Sequence, residues 1–136
     1  MGTRPLTFTL LPETFAVCRL DPKSAVPAWA GAGPFLSITR TADELSVTCP
    51  ETVVPEGVHA AAGWRCLKLE GPFDFSVTGL VASFSTALAR AGISLMVVCT
   101  YDTDYLLVRG ADLDRAAASL EKDGFRIVRR GAAQER

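Results

Sequence analysis

The sequence of 136 residues contains one histidine, His59, and no C-x-x-C. Its four cysteines, Cys18, Cys49, Cys66 and Cys99, are widely spaced. So few imidazole and thiolate donors argue against a zinc site. Each cysteine sits in an apolar or β-branched stretch, which suits a small buried hydrophobe in a reducing compartment better than a disulfide or a nucleophile. One histidine beside Gly57 and an alanine run is a poor base for a Ser or Cys triad, and no G-x-S-x-G is present. A Walker loop and G-x-G-x-x-G are missing too. Carboxylates pair at Asp43-Glu44, at Asp102 and Asp104, and at Asp112 and Asp114, but the last pair is explained by helix capping. No catalytic set assembles, so no enzyme activity is expected, and no cofactor or metal is implied.

Excess charge of one sign is also lacking. Fourteen basic residues face fifteen acidic ones, a formal net charge of -1. Without a basic stripe or aromatic-basic interleaving, nucleic acid is not an expected partner. The only basic cluster, Arg129-Arg130, reads as part of a solvated tail. Nor does any apolar run reach the roughly 18 residues that span a bilayer. The apolar start of the chain is broken by Pro12 and Glu13, unlike a secretory signal. Leu6 stands where a myristoylation site needs Ser or Thr. The expectation is a soluble cytoplasmic protein with no membrane partner.

What is present is an ordinary globular composition, 49% hydrophobic and 21% charged, enough for one compact domain or two very small ones. Leu6–Leu11 and Phe15–Leu20 read as two strands either side of a Pro12-Glu13 turn. Asp21-Pro22 opens a short segment that can hold a helical turn. Phe35–Arg40 and Leu45–Cys49 read as a hairpin about residues 41–44. Residues 51–63, with Pro55, Gly57 and His59, read as an irregular connector and the natural domain boundary. Trp64–Glu70 alternates as a strand. A helix from about Thr78 carries Leu80, Val81, Phe84, Ala87, Leu88 and Ala91 at steps of three and four. Ser76 or Thr78 can cap it and Gly92 can end it. Ile93–Cys99, nearly all apolar, reads as a central strand. Tyr105–Val108 is its neighbour. Asp112 reads as the cap of a second helix, and Phe125–Val128 is the last strand. The second half is therefore strand-helix-strand-strand-helix-strand, the order of a ferredoxin-like unit. A faint repeat at an offset of 60 sets Phe35–Ile38 on Leu95–Val98 and Glu44-Leu45 on Asp104-Tyr105.

Two polar points punctuate that half. Asp74-Phe75-Ser76-Val77 leads into a helix, whose first amides can hold a carboxylate. Thr100-Tyr101-Asp102-Thr103-Asp104 joins two strands, and an Asp there can pair an ammonium. Together they are a minimal receptor for a zwitterionic amino acid. The other reading, which spacing alone favours, is that Ser76 caps the helix and the two aspartates shape a turn.

The run FSVTGLVASFSTALARAGIS followed by CTYDTDYLLV resembles the ACT-domain family. More narrowly, it is similar to the branch containing small two-ACT bacterial proteins and the eukaryotic cytosolic arginine sensor. The resemblance implies an α+β fold of two ferredoxin-like βαββαβ ACT units. A degenerate N-terminal unit would span 1–63, a C-terminal unit 64–130 and a flexible tail 131–136. One of the two N-terminal strands would cross over to the edge of the neighbouring sheet. The resemblance further implies a non-catalytic regulatory protein that binds an amino acid or similar small ligand. It carries ligand-binding roles to Ser76 and Val77, and to Thr100, Tyr101 and Asp104. Both motifs lie in one unit, so the rest of the pocket would come from the N-terminal unit, where Glu44 is a candidate, or from a second copy. Homo-oligomerisation or a partner enzyme is the implied readout. The alternative is an ACT-fold interaction or accessory subunit with no small-molecule ligand of its own.

Overall fold

The computed structural model describes residues 6–31, 33–73 and 78–129. The strands are β1 (Thr7–Leu20), β2 (Ser37–Arg40), β3 (Leu45–Pro50), β4 (Ala60–Leu69), β5 (Leu95–Cys99), β6 (Asp104–Arg109) and β7 (Arg126–Arg129). The helices are α1 (Leu80–Arg90) and α2 (Leu113–Lys122). Contacts divide the chain into two units: Glu13–Trp64, and Met1–Pro12 with Arg65–Arg136. β1 and β4 each give residues to both. The fold class is α+β, and from β4 onward the element order is the ferredoxin-like strand-helix-strand-strand-helix-strand.

In the unit built mainly from the second half, the strand order is β7-β1-β4-β6-β5. Phe8 and Leu10 of β1 enter its core with Leu67, Leu69, Phe84, Leu88, Leu106, Val108 and Leu120. Phe8 packs edge-on to Phe84 at 5.4 Å and tilted against Phe125 at 5.5 Å. Ring pairs at such distances add to what area burial alone contributes. The apolar stripes of α1 (Phe84, Ala87, Leu88) and α2 (Leu113, Ala116, Ala117, Leu120) cover this core as their periodicity requires.

Four details depart from the sequence reading. The two N-terminal strands are one strand. β1 pairs with β7 through Leu10 and with β3 from Phe15, so Pro12 falls between the two registers, where a missing N–H interrupts neither ladder. The first part of β1 also lies between β7 and β4 rather than at a sheet edge. Its pairing with β7 is parallel, Thr7 to Leu10 against Arg126 to Arg129.

β5, in turn, is an end strand of its sheet. Leu95 and Val97 pack on the helix-covered core, while the whole apolar run Leu95–Val98 is only half-buried. An apolar run alone cannot distinguish a central strand from an edge strand with one covered face. Finally, Asp112 does not cap α2. It ends a 3-10 turn with φ -99° and ψ -1°, a helical backbone from which its side chain makes no cap; instead it pairs with Arg115 at 3.3 Å.

The other unit has the order β2-β3-β1-β4. Short 3-10 turns at Ala28–Gly31 and Glu51–Val53 occupy the two inter-strand positions that helices fill in the first unit. This is the physical content of its degeneracy. Its core is small: Ala16, Cys18, Ala30, Leu45, Val47 and Cys49, with Trp29, Val53, Val54 and Val58 packed against it. The expected hairpin forms, closed by the Thr41 amide donating to the Glu44 carbonyl at 2.9 Å. β4 begins at Ala60, inside the alanine run read as connector.

Candidate functional site

The site is built where the helix-facing side of a sheet runs out of apolar residues. Along β6, Asp104, Leu106 and Val108 share one face, because side chains alternate. Leu106 and Val108 lie in the core under the helices. Asp104 continues that face at the end of the strand and is 8% exposed. Sequence alternation thus buries a carboxylate where a hydrophobe would complete the stripe.

The corner before it, residues 100–103, is stapled by its own threonines. The Thr100 amide donates to the Thr103 carbonyl at 2.8 Å, and the Thr100 hydroxyl donates to the same oxygen at 3.0 Å. The Thr103 amide returns a bond to Thr100 Oγ1 at 3.3 Å. Thr103, 7% exposed, donates its hydroxyl to the Leu69 carbonyl and ties the corner to β4. The Asp102 carbonyl accepts the Phe73 amide at 2.8 Å. Gly71 makes this approach feasible: a Cβ there would meet the Asp102 carbonyl oxygen and the Phe73 nitrogen, each at 3.0 Å.

Opposite the corner stands the first turn of α1. Its N-cap is Gly79, left-handed at φ 81°, a conformation that costs glycine little. Among the described residues no side chain caps the helix, and the first intrahelical bond runs from the Ser83 amide to the Gly79 carbonyl at 2.9 Å, so the amides of Leu80, Val81 and Ala82 have no intrahelical acceptor. Between turn and corner lies a cavity of about 310 Å³. Phe73, Leu80 and Val81 supply apolar wall, and Cys99, Thr100, Tyr101, Asp102 and Asp104 supply polar wall. The volume is at the small end of ligand-holding clefts.

Thr100, Tyr101 and Asp104, singled out in the sequence, all line this cavity. Their parts differ. The Thr100 hydroxyl is committed to the corner, Tyr101 is 79% exposed at the rim, and Asp104 is the buried polar group. Ser76 and Val77 lie outside the described residues. Glu44 is paired with Arg19 at 3.1 Å in the other unit. Sequence reasoning passed over Cys99, which the register places directly across from Asp104. The four-residue connection 100–103 could have identified that pair, because a short hairpin link fixes which residues face each other.

The electrostatics are one-sided. Among the described residues, Asp104 forms no ion pair; the recorded bridges join Arg19–Glu44, Lys68–Glu70, Arg90–Asp123, Arg115–Asp112 and Arg129–Asp114. Among the described residues, no Lys, Arg or His lines the cavity. Burial raises the Cys99 thiol pKa, and so does Asp104, whose carboxylate accepts its hydrogen bond and opposes a thiolate.

An ACT-domain family model matches residues 60–122, and a second model, of an N-terminal domain, matches residues 13–57. A crystal structure from Agrobacterium tumefaciens is 40% identical over 94% of this chain and 96% of that one, with a TM-score of 0.88. A Vibrio cholerae protein of unknown function is 20% identical over 88% and 90%, TM-score 0.72. The ligand-free regulatory subunit of aspartate kinase from Thermus thermophilus is 11% identical over 82% and 93%, TM-score 0.58. The last two share the fold. No curated protein matches the sequence.

Proposed function

On the footing that residues 60–122 match the ACT-domain family, we propose that the chain is a non-catalytic regulatory protein binding an amino acid in the cavity between α1 and the 100–104 corner. One observation carries the reading: Asp104 is 8% exposed, lines the cavity and has no cationic partner among the described residues. A buried carboxylate without a cation is costly, and a ligand ammonium removes that cost. The first-turn amides of α1 suit the ligand's carboxylate by hydrogen bonding and by the helix dipole. Phe73, Leu80 and Val81 would border its side chain, with Tyr101 at the rim. Ser76 and Val77, which precede this turn in sequence, are assigned to the carboxylate side on the pattern of the arginine-sensor branch. Ligand binding acts on function by favouring one association state, with a second copy or a partner enzyme as the responding body.

Thermal-shift measurement against the standard amino acids at millimolar concentration tests this. Stabilisation by one or a few is expected. Aspartate and glutamate should be silent, since their second carboxylate would meet Asp102 and Asp104 without a base in the wall. No response to any amino acid would leave an ACT-fold interaction subunit as the better description.

A further inference from the structure

Cys18, Cys49 and Cys66 are buried, whereas Cys99 is exposed, so core filling does not account for it. Cys99 and Asp104 are direct partners in the β5–β6 register, and both line the cavity. Directly opposed residues of an antiparallel pair carry their side chains on the same face. There the thiol faces the Asp104 carboxylate across the strand pair, at the mouth of the same cavity. The neighbouring hydroxyls are taken: Thr100 donates to the Thr103 carbonyl and Thr103 to the Leu69 carbonyl. Of the side chains on the neighbouring strand, the Cys99 thiol is the donor that stands directly across from this carboxylate.

Building on the reading of this cavity as an ammonium site, we propose that Cys99 is its positioning residue, with the thiol holding one Asp104 oxygen so that the other faces the ligand's ammonium. A carboxylate turns freely about its last torsion, which is broad and two-fold. A donor fixed on the adjacent strand removes that freedom before the ligand arrives. Preorganisation of this kind reduces the ordering cost that binding must overcome.

The same contact keeps the donor in its useful form. Partial desolvation at the cavity wall, and then the Asp104 carboxylate, hold the thiol pKa above its ordinary value, so Cys99 stays protonated at neutral pH. Among the described residues, the other titratable groups in the wall are Asp102 and Tyr101, and the first turn of α1 contributes none. Cys99 acts as an S–H donor rather than as a nucleophile, and its chemistry is conservative: a serine hydroxyl in its place could make the same bond.

Two measurements test the proposal. In the absence of ligand, the rate of iodoacetamide alkylation at Cys99 is followed against pH by peptide mass mapping. The wild-type profile should lie above that of an ordinary thiol, and Asp104→Asn should move it down. An unchanged profile in that variant overturns the contact. The standard amino acids are then titrated one by one against wild type, Cys99→Ser and Cys99→Ala. Serine should keep affinity within about threefold, and alanine should lose about tenfold, the scale of one charge-assisted hydrogen bond. Equal loss in both variants, or none in alanine, overturns the positioning role while leaving the amino-acid site standing. A wild type that binds no amino acid overturns both, and the alkylation profile then reports a contact without that function.

Discussion

Replacing Asp104 with Asn separates what this side chain does for folding from what it does for binding. The two side chains have the same shape, and an Asn carbonyl can still accept from Cys99. In the free protein the change removes the charge of a residue that is 8% exposed and has no cation beside it among the described residues. The unliganded variant should therefore match wild type or exceed its stability by up to about 1 kcal/mol, as is common when a site is relieved of functional strain.

With ligand present the order reverses. At a hundred times its dissociation constant, a ligand adds about 2.7 kcal/mol to wild type. Loss of one ammonium–carboxylate pair costs about 2 kcal/mol or more, roughly thirtyfold in affinity. The same concentration is then about three times the variant's dissociation constant and adds just under ~1 kcal/mol. For a domain of this size the ligand-induced rise in Tm falls from roughly 10 °C to roughly 3 °C. Differential scanning fluorimetry of both proteins, with and without ligand, reads all four values. Early unfolding of the unliganded variant would make Asp104 a structural residue of the corner. A rise of undiminished size would remove its carboxylate from the site. Either result refutes the reasoning.

Three further outcomes follow from the corner and the small core. Gly71→Ala should destabilise by about 1–3 kcal/mol in urea denaturation, because its Cβ meets backbone atoms of Asp102 and Phe73 that cannot swing aside. Thr103→Val, which keeps the shape and removes the bond to the Leu69 carbonyl, should cost about 1–2 kcal/mol and loosen the tie of the corner to β4, seen as faster hydrogen exchange there. Alkaline pH should destabilise through Cys49, whose thiol is pushed up to about 11 by burial first and by neighbouring Cys18 second. Its contribution is complete below the unfolded thiol value near 9 and is lost as pH rises through about 11. The loss is about 2–3 kcal/mol, and Cys49→Ala should flatten that limb of the stability curve.

Much of this fold was legible because periodicity is local. The steps of three and four in α1 and α2 marked the faces that are buried, and the polar link 41–44 marked the hairpin. The faint repeat at an offset of 60 set the β2–β3 hairpin on the β5–β6 hairpin, and these occupy corresponding places in the two units. The site was half legible. The corner residues Thr100, Tyr101 and Asp104 stood out as polar positions between apolar strands. Cys99 did not, because its importance lies in facing Asp104 and not in its own surroundings in the chain.

By itself, the sequence determined which elements form and which side of each is apolar, since those follow from the helix and strand repeats of neighbouring residues. It also limited the chemistry, with one histidine and no nucleophile motif. Tertiary structure decided the rest, through pairings between distant strands. A single β1 gives residues to both units, where two strands and a turn were expected from Pro12. β5 became an end strand because nothing in its own apolar run specifies how many neighbours it has. Asp104 became a buried carboxylate because the strand's alternation carries it onto the face covered by helices, at the end where the first turn of α1 lines the same cavity.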